Sequence, residues 1–280
     1  MYQKSKSLLK QQGLAASKKL GQNFLTHRHT AERIVDLAGI GKQDIVVEVG
    51  VGLGALTVPL AEAAAQVIGL EADSGIIRLH EEQRDLPDNV RLLHRDVLKA
   101  DFAELAERCG TRLRIVANLP YSISSPLLFK LIEQQHLIDF AVVMLQKEVA
   151  QRLTAEPGTK EYGVPTVLLA TCATVKTLMR VDPNEFHPRP KVDSTVVRIT
   201  FLSEGNRFGT IEYKLLKRVV SSGFGQRRKT LLNGLAASGL LNKAAMADCL
   251  SEAALPPAVR PEQLTPEDFV RLTRIIAGRL

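Results

Sequence analysis

The chain has 280 residues, 45% of them hydrophobic and 24% charged, enough apolar matter for a full α/β domain and a smaller companion and unlike a disordered or fibrous protein. The uncharged apolar stretch Val49 to Ala61 is rich in glycine and too short to span a bilayer, so no membrane partner is expected. The N-terminus carries lysines without the apolar run of a secretion signal. Cys109, Cys172 and Cys249 are far apart, with neither disulfide nor metal-ligand spacing, so the expectation is a reduced, cytoplasmic protein without a metal; a monomer is expected as well.

The net charge is +7, and most of the excess lies at the front. Lys4, Lys6, Lys10, Lys18, Lys19 and Arg28 all precede the first acid, Glu32. Residues 1–20 read as a basic, partly disordered arm. Such an arm suits a polyanion, with phosphate contacts and counterion release supplying affinity, and it can be disordered when free and ordered on RNA.

From Thr30 the pattern alternates helix and strand. Thr30 is the expected cap of a helix carrying Ile34, Val35, Leu37 and Ala38 and ending near Gly39 and Gly41. Asp44–Val49 reads as a buried strand, followed by a glycine turn and an Ala-rich helix from Gly54 to Ala65. Further strands are expected at Gln66–Leu70, ending at Glu71, at Val90–Leu93, ending near Asp96, at Leu113–Ala117, delivering Asn118, and at Phe140–Leu145. Repeated strand–helix units predict a Rossmann-like α/β fold with a parallel, doubly wound sheet. Ligands of such sheets sit at the carboxyl ends of the strands, and Glu48, Glu71, Asp96 and Asn118 fall there on successive strands.

Asp182 to Lys191 is an irregular loop with three prolines, and a β-rich piece, Ser194–Phe201, closes the first domain. A boundary near Ser203-Glu204-Gly205 divides the chain into 1–203 and an all-helical 204–280. Its last helix is announced by Thr265, Pro266 and Asp268 as cap, first helical residue and box acid.

Glu48-Val49-Gly50-Val51-Gly52-Leu53-Gly54-Ala55 follows a strand and opens a helix, a setting in which glycines let backbone approach a nucleoside cofactor. Gly50, Gly52 and Ala55 also satisfy the dinucleotide fingerprint, with Glu71 placed for ribose hydroxyls, so the turn alone does not separate NAD from S-adenosylmethionine. Glu48 favours the latter. It would oppose a pyrophosphate, whereas it suits a cofactor bearing an ammonium and a sulfonium. Asp96 can accept from an adenine amino group while Val97 offers a backbone N–H; Asp96 can equally cap a helix.

Asn118-Leu119-Pro120-Tyr121 ends its strand with an amide, a carbonyl held by proline and an aromatic ring. Two acceptors beside a ring can grip an exocyclic amino group while its base stacks on Tyr121.

With these pieces in place, the chain closely resembles the ribosomal RNA adenine N6-dimethyltransferases, in particular their bacterial small-subunit branch. The likeness runs from Gly21-Gln22-Asn23-Phe24-Leu25 through the glycine turn, Glu71, Asp96-Val97, Asn118–Tyr121 with Ser125–Leu128, Gln146–Arg152 and Phe186–Ser194 to Gln226–Leu231. Tyr162–Val167 departs from it by carrying Pro165. The resemblance implies S-adenosylmethionine as cofactor, held by Gln22, Asn23, Leu25, Glu48, Gly50, Gly52, Glu71, Asp96, Val97 and Asn118. It implies catalysis by Asn118, Leu119, Pro120 and Tyr121, with transfer of two methyl groups to each of two adjacent adenosines in the 3′-terminal hairpin of 16S rRNA in the 30S subunit or its precursor. Phe186 is expected as the second base plate, or alternatively as a packed anchor of its loop. Lys18, Lys19, Lys191, Arg227, Arg228 and Lys229 are expected at RNA phosphates, though a charge run is also what a solvated face looks like.

Overall fold

The computed structural model describes residues 23–203, 205–226 and 229–280; Lys18, Lys19, Gln22, Arg227 and Arg228, singled out above, lie outside them. The chain divides into two units, one running to Ala150 and including Lys176–Thr200, the other formed by Gln151–Val175 and Phe201–Leu280. The expected single boundary near 203 therefore differs from the observed division by the segment 151–175. The helix Val164–Cys172 in that segment buries Val167, Leu168, Leu169 and Cys172 around its circumference. A helix apolar all round must be covered all round. It packs on the later helices Tyr213–Phe224 and Pro266–Ala277.

The first unit is built on strands β2 (Ile45–Val49), β3 (Gln66–Glu71), β4 (Val90–His94), β5 (Leu113–Asn118) and β6 (Ile138–Gln146), joined at their far edge by β7 (Ala173–Val181) and β9 (Ser194–Phe201). The sheet order is β4-β3-β2-β5-β6-β9-β7. Strands β2 to β6 run parallel, as expected, and β9 is antiparallel to β6. A two-residue strand, β1 (Phe24–Leu25), pairs antiparallel with β8 (Phe186–His187) outside this sheet. The central strands are apolar on both faces, as parallel strands covered by helices must be. Val46, Val67, Val116 and Val142 are fully buried among α1 (Arg28–Ala38) and α2 (Thr57–Ala63), which cover one face. The order reverses between β2 and β5, so a crevice opens at their carboxyl ends.

Helix α1 starts one turn earlier than expected. Its N-cap is His27, and the Thr30 hydroxyl donates to Glu185 Oε2 (2.6 Å) instead of capping. The stop at Gly39 is as read, with Gly39 at φ 65°. Strand β7 was not anticipated. Between buried ends its residues are exposed or only partly buried and include Lys176 and Arg180, the pattern of a sheet edge rather than of a buried strand.

In the second unit Phe224 stacks on Phe269 (5.8 Å between centroids) and faces Tyr162, whose hydroxyl donates to the Leu264 carbonyl (2.9 Å). The last helix begins as its sequence announces: Thr265 Oγ1 accepts from the Asp268 N–H (3.1 Å) and Asp268 Oδ2 accepts from the Thr265 N–H (2.9 Å).

Candidate active site

A cleft of about 340 Å³ opens at the carboxyl ends of β2, β3, β4 and β5. That is the size range of small-molecule sites. Of the residues read as cofactor-binding, Asn23, Leu25, Glu48, Gly50, Gly52, Glu71, Asp96, Val97 and Asn118 all line it. They come from five separate stretches of chain. Folding gathers them because each stretch ends a strand of the same sheet or, for Asn23 and Leu25, leads into or lies on β1.

The floor of the cleft is acidic. Glu48 is 1% exposed, and neither carboxylate oxygen has a hydrogen-bond partner among the described residues. Burial pushes its pKa up to about 8; the nearby Thr57 opposes that shift without making a hydrogen bond of good geometry, and Glu71 adds to it. An unpartnered buried carboxylate facing a cavity is costly unless a cation or donor arrives from the cavity. Glu71, at the end of β3, is oriented by backbone: Oε2 accepts from the Gly52 N–H (3.0 Å) and Oε1 from the Asp73 N–H (2.8 Å). A carboxylate has room for about four hydrogen bonds, so lone pairs remain for a ligand.

Asp96 does not cap a helix. Its Oδ1 accepts from the Leu98 N–H (2.9 Å), closing a turn, while the cap of the next helix, α4 once α3 (Ser74–Gln83) is counted (Phe102–Cys109), is Asp101. Lys130, on the helix α5 (Ser124–Glu133), holds that turn from beneath by donating to the carbonyls of Val97, Leu98 and Ala100 (3.0, 3.0 and 2.6 Å).

The glycine turn is shaped by close approach. Gly52 has φ 54°, and a Cβ there would lie 3.1 Å from the Phe24 ring, which packs with Ile76 and Leu53. Gly69 lies beside Glu48 on β3, and a Cβ on it would meet Val51 at 2.6 Å. Any side chain there would lift the turn from the sheet.

Asn118 closes the cleft from β5. Its Nδ2 donates to the Asn23 carbonyl (3.1 Å), an atom that can only accept. The amide is thereby oriented, and Oδ1 is the end left for a ligand. Pro120 holds φ −55°, ψ 132°, and the Leu119 carbonyl takes no hydrogen bond from another described residue. Tyr121 is half-buried, with its hydroxyl 3.0 Å from Ser194 Oγ, and burial raises its pKa.

Leu119 and Tyr121 do not line the cleft themselves; they adjoin Pro120, Ser122 and Ile123, which do. Phe186 departs from the expectation of an open base plate. It is 5% exposed and packs in the main core with Leu25, its register partner, so its ring presents no free face in this arrangement. The alternative reading, a packed anchor of its loop, is what the geometry provides. Lys191 and Lys229 are exposed, away from the cleft lining. Phe24 stood within the Gly21–Leu25 motif but was given no role of its own, and Lys130 was not anticipated, because it acts by reaching another part of the chain.

A sheet of this order, with a glycine turn after its central strand and acids at successive strand ends, is the build of a class I methyltransferase. Comparison with known proteins narrows this. Residues 13–277 match the family model "Ribosomal RNA adenine dimethylase". The chain is 51% identical to the ribosomal RNA small subunit methyltransferase A of Desulfotalea psychrophila, over 98% of this chain and 96% of that protein. Among solved structures it is similar to a dimethyladenosine transferase from Plasmodium falciparum (TM-score 0.73, 29% identity, 89% of this chain and 95% of that one). It is also similar to the 23S rRNA methyltransferase ErmE (TM-score 0.64, 25% identity, 91% and 100%). The chain belongs to the ribosomal RNA adenine dimethylase family, and it is an RNA adenine dimethyltransferase that uses a methyl-donor cofactor.

Proposed function

We propose that the methyl donor is S-adenosylmethionine and that the acceptors are the N6 amino groups of two adjacent adenosines in the 3′-terminal hairpin of 16S rRNA, modified in the 30S subunit or its precursor in the cytoplasm by a monomeric enzyme. The observation that carries this reading is the pairing, in one cleft, of an unpartnered buried carboxylate, Glu48, with the oriented amide of Asn118. S-adenosylmethionine, when bound, supplies an electrophilic methyl group on a positively charged sulfur.

The residues fit that cofactor. Glu48 would face its cationic amino-acid end, the free lone pairs of Glu71 would accept from the ribose hydroxyls, and Asp96 with the Val97 N–H would read the adenine edge. A neutral or anionic ligand would leave Glu48 uncompensated.

On the acceptor side, an adenine amino nitrogen is a poor nucleophile because its lone pair is delocalised into the ring. Asn118 Oδ1 and the Leu119 carbonyl would accept its two hydrogens and favour a pyramidal nitrogen with its lone pair exposed for transfer. No base is needed beforehand, since the nitrogen would become acidic only once it carried the new methyl group, and its proton would then pass to water. Rate then comes from positioning and from dipoles already oriented. The adenosine must leave its stack to enter, and Tyr121, anchored through Ser194, supplies a ring for it to lie on. Lys191, Lys229 and the basic residues at the front of the chain bind RNA phosphates.

Mass mapping of methylated adenosines after incubation with 30S subunits lacking the modification tests the reading. Two adjacent dimethylated adenosines near the 3′ end are expected. Methylation confined to large-subunit RNA would overturn the choice of substrate.

A further inference from the structure

His80 lies in the last turn of α3, is 4% exposed, and bonds at both ring nitrogens. Nε2 is 2.8 Å from the Gly52 carbonyl, across 28 residues of sequence, and Nδ1 is 2.7 Å from Asp85 Oδ1. A carbonyl only accepts, so Nε2 carries the hydrogen of that bond. We propose that His80 is a positioning residue for the methyl donor, acting by clamping the glycine turn through Gly52. This rests on the reading of the cleft as the S-adenosylmethionine site.

The clamp has a direct line to a ligand group. Gly52 is held on both sides: its carbonyl by His80 and its N–H by Glu71 Oε2 (3.0 Å). Gly52 stands at φ 54°, where a glycine has its widest alternatives, so the two bonds select one conformation of a flexible residue. The same N–H sets the rotation of the Glu71 carboxylate, and Glu71 is the group assigned to the ribose. Helix α3 ties the parts together, since it begins just after Glu71 and ends beside Asp85. Asp73 caps its start, accepting from the Gly75 N–H (2.8 Å). Asp85 Oδ1, like the carbonyl, only accepts, so Nδ1 donates to it, both ring nitrogens carry hydrogen, and the carboxylate fixes the orientation of the ring. A side chain needed only for bulk at this buried position would be apolar. The donor at Nε2 is what the turn uses.

The test compares full-length protein with His80→Leu, which keeps volume without a donor, and His80→Gln, which can place an amide N–H near Nε2. S-adenosylmethionine is titrated by calorimetry, and KM and kcat are measured on undermethylated 30S subunits. The Leu variant should bind the donor about tenfold more weakly, the value of one hydrogen bond, with KM for the donor rising by more than kcat falls and RNA affinity unchanged. The Gln variant should recover most of the loss. Equal donor affinity in all three proteins would overturn the inference. So would a Leu variant that loses melting temperature, donor affinity and RNA affinity together with no recovery by Gln, because that marks packing alone. If the unaltered protein binds no S-adenosylmethionine, the donor reading itself fails; if it binds and the variants match it, only the clamp does.

Discussion

The two ends of the same sheet treat charge in opposite ways. At the amino ends of β2, β5 and β6, Arg114 lies between Asp44 and Asp139, pairing with Asp139 at 3.2 Å and also with Asp44. Asp44 additionally accepts from the Gly41 N–H (2.8 Å). Both of these acids share one cation within the fold. At the carboxyl ends Glu48, Glu71 and Asp96 converge, and among the described residues none forms an ion pair. Glu71 and Asp96 hold backbone N–H groups and Glu48 holds nothing. The fold pairs acids with a cation where it only needs stability, and leaves carboxyl groups without an ion pair where a cationic ligand is to complete the set.

Of all these positions, Asn118 is where substitution should cost most. Asn118→Ala removes the oriented acceptor without touching any acid, and methyl transfer should fall by about 10²–10³-fold, as when one preorganised group is deleted elsewhere. RNA binding, read by filter retention, should persist. An unchanged rate in single-turnover assays would sink the assigned role.

Glu48→Gln sharpens the comparison because its two effects have opposite signs. The folded carboxyl has its pKa raised to about 8 from an ordinary 4.5. Between those values the unfolded chain has released the proton and the folded one retains it, so the folded state binds more protons and stability falls as pH rises. Replacing Glu48 by Gln removes that penalty. The ligand-free variant should be more stable than the unaltered protein at pH 8, by on the order of a few kcal/mol, with the gap closing towards pH 5. Its affinity for S-adenosylmethionine should nonetheless drop. A variant that gains no stability at pH 8, by calorimetry, would show that the carboxylate is compensated after all.

Lys130→Met acts more gently. It leaves the carbonyls of Val97, Leu98 and Ala100 without their shared donor, and denaturant titration should show a loss of about 1–3 kcal/mol. Donor affinity should weaken with it, because Asp96 and Val97 ride on that turn. Unaltered donor binding would detach the turn from the site.

How much of this was legible in the sequence follows from how far each feature reaches. The parallel strands, the glycine turn and the acids at strand ends are local patterns, and they stand where they were read. Glu48 showed its position in advance but not its isolation, since that depends on which side chains fail to arrive. Thr30 carried a cap signal that was misread. The helix takes an extra turn from Arg28, and the hydroxyl is drawn to Glu185, 155 residues away. Phe186 looked like a plate beside prolines, yet pairing of β8 with β1 turns its ring into the core. His80 was invisible for the same reason, as its partner Gly52 lies on another element. The segment 151–175 was assigned to the first domain by continuity, and only packing places its buried helix with the second unit.

The smallest expected effect tests the other end of the sheet. Arg114→Leu strips Asp44 and Asp139 of their cation while keeping the bulk of the stem. These side chains are partly exposed, at 28%, 18% and 38% for Arg114, Asp44 and Asp139, so water replaces much of what the ion pairs supplied. Stability should drop by about 1 kcal/mol at low ionic strength, and the difference from the unaltered protein should shrink in 1 M salt, where the Debye length is about 3 Å. Affinity for S-adenosylmethionine should stay as it was, because β5 delivers Asn118 from its opposite end and the ladder with β2 and β6 holds its register without Arg114. Calorimetry with and without the donor reads both quantities on one sample. A fall in donor affinity comparable to that of Glu48→Gln would mean that the two ends of the sheet are coupled, and that neutrality at one end is part of how the other stays charged.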